Sequence, residues 1–404
     1  MASIEKITDT KYRIIVSYGY DVNGKKLRAK KTVEFPPNMT EKKKQKELDK
    51  EKVLFEEKVK NGEYGSSSIK LVDFINDLWF KECMKGKSPS TIYRYKTLTR
   101  LINKQLGHLR LDEIRPLHIQ RFKNFLSTAK GNVAIRDENG EIIDYKTYAP
   151  KTQLHYFRCL STILNDAYKL EMIKENPVSK ISAPKVPKKK PQFLDIEQTR
   201  HILELLKKQD LKYQVAINIL IFTGIRRGEL LGLTWDSIDW EKSEIKIDQN
   251  TIYVEKKIYT KDPKTETSNR IVDVPSYVMN LLRQYRVQQS TERLRLGDKW
   301  VDTNRIMTQW NGKIMHPDTI SQWWKKFQLK NGIENVVSLH KLRHTYATLM
   351  LDIVDITTVS ETLGHSDIST TSIYAHSLKG RKKVATEKLQ EELLQEQPSG
   401  KNAI

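Results

Sequence analysis

At 404 residues the chain exceeds what one hydrophobic core usually serves and reads as two or three domains, with a 38% apolar share sufficient to pack them. Lys and Arg outnumber Asp and Glu by 71 to 50, a formal charge of +21 that recurs along the chain, which points to an extended polyanion as partner. No apolar run reaches membrane-spanning length, the opening MASIEKITDTKYR lacks a signal core, and Cys83 and Cys159 fit neither a disulfide framework nor metal-ligand spacing, so a reducing, cytoplasmic setting is expected.

The first 36 residues hold two strand-like runs, KYRIIVSYGY and KLRAKKTVEF, joined around Asn23-Gly24, a pair suited to the positive φ angles of a tight hairpin. A short strand near Ile4 to Ile7 supplies a third. After Pro36-Pro37, Thr40 is placed to cap a helix through EKKKQKELDKEKVLFEEKVKNG that stops near Gly62. The resulting module, residues 1–63, is too small for an enzyme. It carries Lys25, Lys26, Arg28, Lys30 and Lys31 on one hairpin, of which Lys26, Arg28 and Lys30 are taken as DNA contacts; the alternative is a solvated charged face.

GEYGSSS leads into a helical region, residues 68–183. In SPSTIYRYKTLTRLINKQLG, Ser90 is read as the cap, and Ile92, Tyr95, Leu98 and Ile102 recur at helical spacing. Tyr93, Arg94, Lys96 and Arg100 fall elsewhere, so one face packs and another can meet phosphate. The run VAIRDENGEIIDY interrupts the helices with a hairpin at Asn139-Gly140, to which no chemical role is assigned. The proline- and lysine-rich segment over residues 184–192 reads as an extended linker.

From Phe193 the pattern is mixed. FLDIEQTRHILELLKKQ and KYQVAINILIFTGIRRGELLGL read as helices, and SEIKIDQNTIYVEKK and SNRIVDVP as strands of a small sheet. TISQWWKKFQLKNG, LHKLRHTYATLML, ITTVSETLGH and TSIYAHS return to helix, and a polar tail follows over residues 381–404.

Five strings in this last region carry chemistry. In TGIRRGEL, Glu229 lies one helical turn after Arg226 and is placed to hold its guanidinium; alone, such a pair is an ordinary surface salt bridge. In LHKLRH, His340 and Arg343 share a helix face while Leu342 turns inward. A guanidinium binds nonbridging phosphate oxygens and an imidazole passes protons, although read alone this is a helix with a surface His and Arg. LGH supplies His365 and TTSIYAH supplies Tyr374, whose phenol, with a pKa of about 10, needs a base or a positive field to act as a nucleophile. DPKTETSNRIVDVP offers Lys264 at a turn between strand-like runs, where a mobile ammonium can protonate a leaving oxygen.

In order, these strings resemble the tyrosine recombinase family over residues 193–380. The resemblance implies Arg226 and Arg343 as an arginine pair, Lys264 as the sheet-turn lysine, His340 and His365 as the histidine positions, and Tyr374 as the nucleophile, with none of the set replaced. STIYRYKTLTRLINKQLG looks like part of a core-binding domain, and the first module like the arm-binding domain of phage and conjugative-transposon integrases. The fold implied is α+β, mainly α with small β-sheets: a three-stranded sheet plus helix, a helical core-binding bundle and a mixed α/β catalytic domain. The activity implied is strand cleavage through a 3′-phosphotyrosyl intermediate and a Holliday junction, by a homotetramer on double-stranded DNA bearing core-type and arm-type sites. Neither ATP nor a metal is then required, and an excisionase is a candidate accessory partner. A type IB topoisomerase and a non-catalytic DNA-binding repressor remain the alternatives.

Overall fold

The computed structural model describes residues 2–20, 26–60, 69–187, 192–261, 269–364 and residue 390. The chain divides into two compact units, residues 1–188 and 189–404. Among the described residues, no helix is long and apolar enough to cross a membrane.

The first unit opens with strands β1 (Ala2–Lys6), β2 (Lys11–Tyr20) and β3 (Lys26–Glu34), antiparallel in the order β1-β2-β3, followed by helix α1 (Glu41–Lys60). Strand alternation sends Ile14, Val16 and Ala29 toward Leu48, Phe55 and Val59 of α1. Lys31 follows the same parity and forms an ion pair with Glu51 of α1, whereas Lys26, Arg28 and Lys30 alternate to the opposite face. The hairpin's basic residues are therefore divided between two faces, not gathered on one. Lys25 and the Asn23-Gly24 turn lie outside the described residues.

The helical part of the unit comprises α2 (Leu71–Asp73), continued with π-type hydrogen bonding over Phe74–Cys83, then α3 (Pro89–Leu106), α4 (Pro116–Thr128) and α5 (Pro150–Lys169). Its core gathers Phe74, Ile75, Trp79, Ile102, Phe122 and Leu160, and Trp79 donates its indole N–H to Asp166 at 2.8 Å. Helix α3 starts earlier than expected. Ser88, not Ser90, is the cap, accepting from the Thr91 N–H at 3.3 Å, because Pro89 fits the first helical position, where its missing N–H costs nothing. Ile102 is fully buried and Ile92, Tyr95 and Leu98 pack beside it. Arg94, Lys96 and Arg100 are exposed. The expected hairpin is present as β4 (Lys130–Arg136) and β5 (Ile142–Thr147) between α4 and α5.

In the second unit, α6 (Ile196–Leu206) is capped by Asp195, and α7 (Leu211–Thr223) is apolar nearly all round because α9 (Ser276–Leu296) and α11 (Leu339–Met350) both pack on it. Short α8 (Arg227–Gly232) precedes a sheet of β6 (Ile238–Asp239), β7 (Glu244–Ile247) and β10 (Arg270–Asp273), in the order β10-β7-β6. The run SEIKIDQNTIYVEKK, expected with SNRIVDVP in one small sheet, is divided between two. After β7 the chain leaves the sheet and forms a separate hairpin, β8 (Asn250–Val254) with β9 (Lys257–Lys261). Its turn residues Glu255 and Lys256 have φ of 49° and 63°, the left-handed pair of a tight hairpin without the Gly or Asn that usually announces it. Helices α10 (Pro317–Lys330) and α12 (Ile356–Leu363) complete the unit, the latter packing on α11 and β10.

Candidate active site

Helix α7 ends on Gly224, whose φ is 63°. The left-handed turn favours glycine, and a Cβ there would also collide with the Tyr346 ring and crowd Leu363, so the site's first turn is glycine for two independent reasons. The chain then buries Ile225 and presents Arg226 at the mouth of α8. Glu229 folds back on it: one carboxylate oxygen accepts the Arg226 backbone N–H at 2.9 Å, and the other accepts Nη1 of the Arg226 side chain at 2.7 Å.

The Glu229 side chain is 7% exposed, and its second cation is Arg270, from the first position of β10, at 2.9 Å. Burial by itself raises the carboxyl pKa. The hydrogen bond and charge of Arg270, joined by those of Arg226, outweigh it and hold Glu229 below the usual carboxylate range. Arg270 was not anticipated. Its own string carries no signal, and the only hint was that a carboxylate destined for burial needs more than one partly exposed guanidinium.

Helix α11 contributes the third and fourth groups. Leu342 is fully buried, as helical phasing requires, and Arg343 is 3% exposed. The Arg343 guanidinium donates from Nη1 to the Gly224 carbonyl at 2.9 Å and from Nη2 to the Leu363 carbonyl at 2.7 Å, so it fastens the end of α7 to the end of α12. His340, one turn earlier, stays exposed at the start of the helix. Its pKa is lowered by desolvation and then by the charges of Arg343, Arg226 and Lys341, so both arginines lie within electrostatic reach of His340.

His344 stands edge-on to His340, with ring centroids 5.1 Å apart at 84°. Burial, then His340, Lys341 and Arg343, push its pKa down to about 4. Between the unfolded value of about 6.5 and this folded value, the unfolded chain binds more protons, so stability falls as pH falls through that window. Melting temperature is accordingly expected to drop on acidification from pH 7 to about 4.5, and His344→Gln to flatten the slope. An unchanged slope in the variant would assign the acid sensitivity elsewhere.

Helix α12 is capped by Asp355, which accepts from the Thr357 and Thr358 N–H groups, and ends on Gly364 at φ 65°. The next residue is His365. Lys264, His365 and Tyr374 lie outside the described residues. Among the DNA-contact candidates, Arg94 has company that the sequence does not signal: His155 of α5 is held below the ordinary histidine range by burial and then by Arg94, Lys151 and Arg158, so α3 and α5 share a basic patch.

Comparison with known proteins places these features. Family models for the phage integrase family and for the phage integrase SAM-like domain match residues 192–381 and 70–183. A tyrosine recombinase XerC-like protein of Caldanaerobacter subterraneus subsp. tengcongensis is 31% identical, over 94% of this chain and 95% of that protein. The ICEBs1 integrase of Bacillus subtilis strain 168 is 24% identical over 96% of this chain and 99% of its own length. Among solved structures, the Tn1549 transposon integrase in complex with a circular intermediate DNA matches with a TM-score of 0.63 at 19% identity, over 80% of this chain and all of that one. A lambda integrase dimer bound to a COC′ core site matches at 0.54 and 14% identity, over 92% and 93% of the two chains. At these identities the solved structures speak to the fold alone.

Proposed function

The chain belongs to the tyrosine recombinase family, and from that membership we propose that it integrates and excises a mobile DNA element, with Tyr374 as nucleophile. The observation that carries this reading is the convergence of Arg226, His340 and Arg343 at the junction of α7, α8, α11 and α12. In this mechanism the Tyr374 oxygen bonds to the scissile phosphorus, the bond to the 5′ oxygen breaks, and a 3′-phosphotyrosyl enzyme and a free 5′-hydroxyl result. That hydroxyl later attacks the partner strand's phosphotyrosine, so bond energy is conserved and neither ATP nor metal is needed. Arg226 and Arg343 stabilise charge on the phosphorane. His340, neutral at pH 7 because its pKa is depressed, takes the Tyr374 proton, Lys264 protonates the 5′ oxygen, and His365 donates a hydrogen bond to a phosphate oxygen.

Four protomers act on two duplexes in the cytoplasm, with an excisionase as a candidate accessory partner. Lys26, Arg28 and Lys30, on the sheet face away from α1, meet arm-type sites. Arg94, Lys96 and Arg100 meet core-type sites. Replacing these last three together by alanine is expected to weaken core-site binding similarly across sequences and to reduce the slope of log affinity against log salt by up to about 0.9 for each phosphate no longer neutralised. Titration from about 50 to 200 mM salt checks this; an unchanged slope would remove α3 from the phosphate-binding surface.

The proposal as a whole is tested by incubating two labelled duplexes that bear the ends of the encoding element. Four-way junctions and recombinants are expected. Relaxation of supercoils with no junction would favour a topoisomerase, and binding without any covalent adduct would favour a repressor.

A further inference from the structure

We infer that Arg270 is a positioning residue that serves Arg226 and the turn leading to His365 together, an assignment that rests on the catalytic reading of Arg226. The Arg270 side chain is 8% exposed and is anchored on two elements of the site, α8 and α12: Nη2 donates to Glu229 at 2.9 Å and Nε to the Thr362 carbonyl at 2.8 Å.

The first anchor controls charge. Arg226, Glu229 and Arg270 together carry one net positive charge, and of the two guanidiniums it is Arg226, with a side chain 37% exposed, that faces the solvent side where a phosphate arrives. Without Arg270, the buried Glu229 carboxylate has Arg226 as its one remaining ion-pair partner in this triad. The pair then closes on itself, turning Arg226 inward and cancelling the charge it offers to a phosphate. Arg270 thus lets Glu229 orient Arg226 without neutralising it.

The second anchor controls geometry. The last four carbonyls of a helix lack intrahelical partners. In α12 the Ser360 and Glu361 carbonyls receive the Gly364 N–H, the Thr362 carbonyl receives Arg270, and the Leu363 carbonyl receives Arg343. Two arginines from other elements therefore finish the helix whose next residue but one is His365. The guanidinium that leaves Arg226 charged also fixes where the chain departs toward His365.

The test uses full-length protein and single-turnover cleavage, at saturating enzyme, of a nicked duplex bearing the ends of the encoding element. Arg270→Gln is expected to lower cleavage by about 30-fold or more while DNA affinity changes less than about threefold, and Arg270→Lys, which keeps the charge but spans one anchor, to fall between Gln and wild type. Because Arg270 acts through Arg226, the Arg226→Lys/Arg270→Gln double variant is expected to fall well short of the product of the two single losses. A merely structural role gives multiplying losses and a matching loss of DNA affinity, and would overturn the inference, as would wild-type cleavage by Arg270→Gln or Arg270→Lys. Wild-type cleavage by Arg226→Lys is a separate outcome that overturns the reading of Arg226 itself.

Discussion

Replacing Tyr374 by phenylalanine is expected to reduce DNA cleavage on the order of 10⁴-fold or more and to leave duplex affinity within about twofold. The substitution removes one oxygen. In the proposed mechanism that oxygen is the only atom of the side chain that bonds to phosphorus, whereas DNA affinity is expected to come from many Lys and Arg side chains distributed over a chain of charge +21. The split between abolished chemistry and retained binding is what separates a nucleophile from a tyrosine that packs or stacks. A gel-shift titration beside a denaturing gel for the covalent complex measures both halves. Equal loss of both would make Tyr374 a binding residue.

The second large effect is expected at Arg343. Arg343→Met keeps the apolar stem but removes the donors to the Gly224 and Leu363 carbonyls, at the C-terminal ends of α7 and α12, in two buried hydrogen bonds. Hydrogen bonds from a charged donor contribute about 1.5–3 kcal/mol each, and leaving buried acceptors unmet has a similar cost, so a loss of about 2–4 kcal/mol in unfolding free energy is expected. Against a total of about 5–15 kcal/mol the protein stays folded, and cleavage can be read on the folded form. Cleavage is expected to fall by about 10²–10³-fold or more, because a preorganised positive charge beside His340 is gone as well. Arg343→Lys separates the two roles: it retains the charge yet reaches one carbonyl, so it is expected to recover stability only in part and to remain poor in cleavage. Urea unfolding and single-turnover cleavage on the same preparations check this. Full cleavage by the methionine variant would confine Arg343 to a structural role.

How much of this was legible in the sequence depends on whether the signal was local. Helix α3 and the hairpin β4–β5 were legible because caps, apolar spacing and Asn139-Gly140 act over a few residues. The cap itself was misplaced by two residues, since Ser88 and Ser90 both suit a cap and only Pro89 decides between them. The β8–β9 hairpin was missed because Glu255 and Lys256 adopt positive φ without the residues that favour it, so tertiary context sets the turn. Lys31 was grouped with Lys30 because a charged run reads as one surface, although alternation across a strand sends it to Glu51.

At the site, the proximity of Arg226 to Glu229 followed from one helical turn, and that of His340 to Arg343 likewise. Bringing the two pairs together did not, because they are far apart in the chain and meet only through the packing of α7 on α11. The burial of Arg343 and the role of Arg270 were equally invisible: each is set by where helix ends leave carbonyls and carboxylates in need of donors.

The most direct test of the central claim is the identity of the residue that becomes joined to DNA. A suicide duplex nicked near the cleavage site traps the covalent complex, and protease digestion with mass spectrometry locates the modified residue. The expected result is a 3′-phosphate ester on the peptide containing Tyr374, with a free 5′-hydroxyl on the released strand. Attachment to another residue, attachment through a 5′-phosphate, or no adduct under conditions where the duplex is bound would contradict the account.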